Sequence, residues 1–144
     1  MATRAANHIF YLLATGAIDF ANDSFKIILM DTGFSFDVDT HEVYADVSAN
    51  ELPTGAGYTQ NNKVLANVVV TEDDVDDRTE ITWDNVSWVA AGGSIGPTPG
   101  AIIFDDTHAS DAIVGYIDFG TEYTQVDGGT FTIAAVEIRM RHPN

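Results

Sequence analysis

Thr130-Phe131-Thr132-Ile133-Ala134-Ala135-Val136-Glu137-Ile138-Arg139-Met140 is the stretch whose reading decides the fold. On an extended chain Phe131, Ile133, Ala135 and Glu137 share one side, and Thr132, Ala134, Val136 and Ile138 share the other. Apolar groups occur on both sides. The expectation is one long strand covered on both faces, by the core and by a helix or a neighbouring subunit.

Working back along the chain, the same signal recurs in shorter pieces. Ala112 to Phe119 is a second long strand candidate, and Ala101-Ile102-Ile103-Phe104 reads as a buried strand. Val86-Ser87-Trp88-Val89, Glu80-Ile81-Thr82-Trp83-Asp84, Val64 to Val70 and Phe25-Lys26-Ile27-Ile28-Leu29-Met30 complete the set. Asp31-Thr32-Gly33, Gly92-Gly93, Asp105-Asp106 and Asp127-Gly128-Gly129 supply turn chemistry between them. The prolines and glycines of Gly96-Pro97-Thr98-Pro99-Gly100 predict a loop over 92–100. Many short strands without alternating helices argue for an all-β, mainly antiparallel fold: a β-sandwich, with a jelly roll as the favoured variant.

One helix is expected, over Thr3 to Thr15, with Gly16 at its C′ position. Phe34 to Asn62 holds few long apolar runs and reads as an extended surface excursion with a short strand near Val43-Tyr44. No repeat and no interdomain linker interrupts the chain. The organisation expected is a single domain over 1–144, with the helix and its connection in 1–22 and the sandwich in 23–140.

Composition narrows the function classes. The 144 residues include no cysteine, which removes disulfides, thiolate metal sites and cysteine nucleophiles. Twenty-two acids face six lysines and arginines, a formal charge of −16. Phosphate backbones and anionic membranes are repelled by such a surface, so neither nucleic acid nor membrane is an expected partner. A basic protein patch or a divalent cation is attracted. His8 to Ala17 is apolar but short and interrupted, so no signal peptide and no membrane span is expected.

Three acidic clusters invite a metal reading: Asp37-Val38-Asp39-Thr40-His41-Glu42, Glu72-Asp73-Asp74-Val75-Asp76-Asp77, and Asp105-Asp106 with His108. None has calcium-loop spacing. The plain reading of each is a solvated loop or turn. No metal and no cofactor is expected, and Asp73, Asp74, Asp76 and Asp77 stand as the one weak alternative. Catalytic arrangements are as scarce. There is no Gly-x-Ser-x-Gly, the four histidines lack zinc spacing, His8 falls on the helix and His142 at a frayed end. The Gly92-Gly93-Ser94-Ile95-Gly96 run lacks the lysine and following helix of a phosphate cradle. No catalytic residue is assigned. Trp83 and Trp88 read as a sugar-stacking ledge or interface anchor on one view and as core on the other, with core favoured for at least one.

Several segments in order resemble a family of small virion structural proteins of tailed bacteriophages. They are Gly16-Ala17-Ile18-Asp19, Asp23-Ser24-Phe25-Lys26-Ile27-Ile28-Leu29-Met30, Asp39-Thr40-His41, Tyr44-Ala45-Asp46-Val47 and Glu51-Leu52-Pro53-Thr54-Gly55-Ala56-Gly57-Tyr58-Thr59. The Trp83/Trp88 region, Ala101 to Asp106, Gly115 to Gly120 and Gly129 to Ile133 follow. One divergence lies in Gly57-Tyr58-Thr59-Gln60-Asn61-Asn62, where asparagine stands in place of a further glycine. The resemblance covers nearly the whole chain and implies a capsid decoration (cement) protein, located in the virion, that binds the major capsid protein shell. A homo-oligomer, most naturally a trimer on a local threefold axis, follows from that role. Candidate contact residues are Ile9, Leu12 and Leu13 on the helix, Trp88, and Ile138 on the last strand. The alternative role is a tail, fibre or receptor-binding component with a carbohydrate surface near Trp88 or the 92–100 loop. A glycan-cleaving enzyme using two carboxylates is the third, and predicts a deep acidic cleft.

Overall fold

The computed structural model describes residues 1–141, and His142 lies outside them. In chain order the elements are β1 (Ala2–Ala5), α1 (Asn7–Ala14), β2 (Phe25–Leu29), α2 (Tyr44–Val47) and a 3-10 turn at Ser48–Asn50. Then come β3 (Lys63–Val64), β4 (Val69–Asp73), β5 (Arg78–Trp83), β6 (Val86–Val89), β7 (Ile95–Asp105), β8 (Ala112–Gln125), β9 (Thr130–Ile133) and β10 (Val136–Arg141). The fold is all-β, and the strand pairs described are all antiparallel. A five-stranded sheet runs β1-β8-β7-β2-β3, a three-stranded sheet β10-β5-β4, and a two-stranded sheet β6-β9. The division supports the all-β class without showing the paired Greek keys of a jelly roll.

The five-stranded sheet is buried on both faces, and strand periodicity sorts its residues between them. From β2, Phe25, Ile27 and Leu29 point into one core, with Ala101 and Ile103 of β7. Ile28 and Met30 point to the other, with Ile102 and Phe104. On β8 the register skips one residue between Ile113 and Gly115, a bulge that shifts the phase of burial. Gly115 is required there: a Cβ would sit 2.5 Å from the Arg4 carbonyl oxygen and 3.0 Å from Ile138 Cδ1. The first core is closed by Ile81, Trp83, Val136, Ile138, Trp88 and Phe131 of the smaller sheets and by Ile9 and Leu12 of α1.

The second core is closed by the segment between β2 and β3, which contributes Phe36 and Val47 with Phe34, Val38 and Tyr44 partly buried. Backbone pairing also ties the segment to the sheet: Leu52 N–H to Leu29 O (2.9 Å), Asp31 N–H to Asn50 O (2.7 Å), Tyr44 N–H to Asp111 O (2.9 Å) and Ile113 N–H to Glu42 O (2.8 Å). The expected surface excursion is therefore a lid over the sheet. Val43 bridges Ala112, but Tyr44 begins α2 rather than a strand.

Other expectations are corrected. The predicted helix over Thr3 to Thr15 begins only at Asn7, because Ala2–Ala5 is strand β1 paired with Gly115 to Asp118. Val64 to Val70 is two strands, separated where Asn67 adopts a left-handed φ of 56°. The predicted 92–100 loop is strand from Ile95 onward. Its prolines are tolerated because residues 95–99 pair only with β8 and the register shifts between Ile95 and Thr98 and between Thr98 and Gly100, which leaves both prolines outside the paired positions. Finally, the long strand 130–140 breaks at Ala134-Ala135, both exposed. The break resets the alternation, so Phe131 and Ile133 before it and Val136, Ile138 and Met140 after it all face one core.

Candidate functional site

The residues expected to form contacts scatter on folding. Ile9, Leu12, Trp88 and Ile138 are buried within the chain, so none of the four is a free contact residue. α1 carries Ile9 and Leu12, β6 carries Trp88 and β10 carries Ile138 inward, into one core. Trp88 packs against Tyr58 and Phe131, at 6.0 and 6.1 Å between ring centroids, under Lys63 Nζ at 5.2 Å. It provides no sugar-stacking ledge. Trp83 is core as well, against Phe25 at 5.6 Å. Only Leu13 remains partly exposed, at the edge of the helix.

Asp73, Asp74, Asp76 and Asp77 do come together, at the tip of the β4–β5 hairpin. Their arrangement is that of a turn. Asp73 Oδ1 accepts the Val75 and Asp76 N–H groups at 3.1 and 3.2 Å, and Asp77 takes a left-handed φ of 49°. Arg78 answers part of the charge, at 3.3 Å from Asp73, 3.1 Å from Asp76 and 2.5 Å from Glu80. Among the described residues no group of three or more metal-binding side chains converges. The Asp37 cluster is likewise a turn: its carboxylate accepts the Asp39 and Thr40 N–H groups, which hold its pKa low.

Beside the hairpin, α1 and β4–β5 enclose an open groove of about 730 Å3. Phe10, Leu13, Val70 and Met140 line its apolar part, and Glu72, Asp74 and Asp77 stand along it. Phe10 and Val70 are 43% and 53% exposed, large apolar surface for side chains with a core available. A smaller cleft of about 430 Å3 opens between β8 and β9. The two strands leave one turn but pair with different partners, β7 and β6.

Two buried carboxyls complete the survey; sequence reasoning gave Glu51 no role and read Asp105 only as part of a turn. Glu51, 3% exposed, accepts the Tyr44 hydroxyl at 2.6 Å, the Tyr58 hydroxyl at 2.8 Å and the Asn61 N–H at 2.7 Å. Tyr58 Oη in turn accepts the Leu29 N–H at 3.0 Å, so the node ties the lid to β2. Burial and Glu51 raise both tyrosine pKa values. Asn61, the divergent position of the turn, adopts φ 51°, a conformation asparagine tolerates. Seven-residue spacing would set Tyr44, Glu51 and Tyr58 on one face of a helix, but Pro53, Gly55 and Gly57 exclude a continuous helix there, so periodicity gives no true signal for the node.

Asp105 closes β7 and is fully buried. Its Oδ1 accepts the Thr107 and His108 N–H groups at 2.8 and 3.1 Å, which explains the Asp105-Asp106-His108 cluster as a turn. Its Oδ2 has no N–H or O–H partner, and the Asp23 carboxyl lies within hydrogen-bonding reach. Burial first, and Asp23 second, push the Asp105 carboxyl up to about 7. Asp106 instead pairs with Lys26 at 3.0 Å. Both buried carboxyls are enclosed by their own turn, which suits them to holding strands together. No protein-family model, no curated protein and no solved structure matches the chain.

Proposed function

We propose that this chain is a structural protein of a tailed-bacteriophage virion: a capsid decoration (cement) protein that binds the outer surface of the major capsid shell and stabilises it, without catalysing a reaction. A homotrimer at a local threefold axis is the assembly that suits this role. The observation that carries the reading is where the polar chemistry sits. Glu51 is closed by two tyrosines and a backbone N–H, and the hairpin acids are partly closed by Arg78. Glu72, Asp74 and Asp77, which take part in no ion pair among the described residues, lie on an outer surface that also exposes Phe10 and Val70. An arrangement of that kind serves docking better than turnover. The −16 charge supports the reading too, since it keeps a protein of high copy number dispersed before assembly. No helix among the described residues is long and apolar enough to cross a membrane.

Quantitative mass spectrometry of purified particles tests the proposal. A copy number that tracks the symmetry-related sites of the shell is the expected result. A handful of copies per particle would move the protein to the tail, and absence from particles would sink the proposal.

A further inference from the structure

We infer that the groove between α1 and the β4–β5 hairpin receives a segment of a partner protein in which lysine or arginine flanks apolar side chains. Three observations meet there. The first is shape: α1 and the hairpin leave an open channel, with Phe10, Leu13 and Val70 partly exposed along it. The second is charge. Glu72, Asp74 and Asp77 line the channel and take part in no ion pair among the described residues; they outnumber Arg141, the one other cation of the lining, since Arg78 is occupied by Asp73, Asp76 and Glu80. The third is position. β4 is the last strand of its sheet, so its outer edge offers unpaired main-chain groups to an extended segment.

A second copy of this chain is the wrong occupant. The chain has six lysines and arginines. Lys26 is bound to Asp106, Lys63 to the Ser87 carbonyl over Trp88, Arg78 to the hairpin and Arg139 to Glu137, which leaves only Arg4 and Arg141 against the many acids of the surface. A copy would bring mostly acids to an acidic rim. Electrostatic complementarity therefore selects a basic partner and sends self-association to another surface. The proposed role enters only in identifying that partner as the shell protein; the groove's preference stands without it.

The test titrates the full chain, labelled with nitrogen-15, with a synthetic dodecapeptide of alternating lysine and leucine. Alternating glutamate and leucine, and lysine alone, serve as controls. Saturable shifts confined to residues 10–20, 70–81 and 140–141 are expected with the first peptide, and weaker, diffuse ones with lysine alone. Val70→Asp should abolish the saturable binding, and being on the surface it leaves the fold intact. Asp74→Asn with Asp77→Asn should weaken it about fivefold, as two screened surface pairs would. Asn at 77 keeps the left-handed backbone. Glu42→Gln with Asp111→Asn removes as much charge elsewhere and should change little. Shifts spread over the whole acidic surface, or equal losses in both double variants, would overturn the inference. So would concentration-dependent shifts at the groove without peptide, which would mean self-association. Groove binding by a chain absent from particles would leave this inference standing and remove the proposed role.

Discussion

Glu51 and Asp105 are both carboxyls taken out of water, one in the lid and one at the end of β7, and their surroundings differ in kind. Glu51 meets three donors with its two oxygens. Asp105 satisfies one oxygen with two N–H groups and turns the other toward a second carboxyl. The first site is complete as built and rigid. The second needs a proton between Asp23 and Asp105, so its stability depends on pH. A buried charge is tolerated when donors surround it, and otherwise the group neutralises.

The largest effect at any fixed pH in the acid range is expected from breaking the complete site. Glu51→Ala strands two tyrosine hydroxyls and one N–H, and should cost about 3 kcal/mol in urea denaturation. A loss below about 1 kcal/mol would mean that water replaces the carboxylate easily and that the lid is not pinned there.

The incomplete site gives a pH-dependent effect. The folded Asp105 carboxyl titrates near 7, above its ordinary 3.8. Between those values the folded state holds a proton that the unfolded chain has released, so this site loses stability as pH rises from about 4 to about 7. The slope is at most about 1.4 kcal/mol per pH unit for one proton. Asp105→Asn keeps a donor toward Asp23 and removes the titration. Its stability relative to the parent should climb across that window and level off above it. A difference independent of pH would show that the two carboxyls do not share a proton.

The smallest effect sharpens the comparison from within the first site. Tyr44→Phe removes one of the three donors while Tyr58 and Asn61 remain, and should cost about 1 kcal/mol. If it matches Glu51→Ala, Tyr44 rather than the node as a whole holds the lid.

How much of this was legible in the sequence depends on whether the signal was local. β2, the inner half of β7, and β8 as far as Phe119 are apolar runs broken only by Lys26 and Asp118, and they read correctly as strands. β1 did not, because Ala2–Ala5 is too short to show a period and owes its conformation to β8 far along the chain. The lid was missed because Phe34, Phe36, Val38, Tyr44 and Val47 stand singly, and the sheet beneath them supplies the reason for their burial. The reset at Ala134-Ala135 is silent, since two small residues fit a strand as well as a break. For the sites, the hairpin acids announced themselves by density. The groove did not, because Phe10 and Leu13 reach it from a distant element. Ile9, Leu12 and Ile138 showed the opposite failure: apolar residues read as contacts were core, the commoner fate of such side chains.

The pairing of β1 with β8 sets an order for biosynthesis. Thr3 Oγ1 accepts the Arg139 N–H across 136 positions, and β1 lies along a strand made long after it. β1 must therefore wait, unpaired, until β8 has been made. Folding of this architecture is late and concerted, slowed by distant contacts rather than by any single difficult turn.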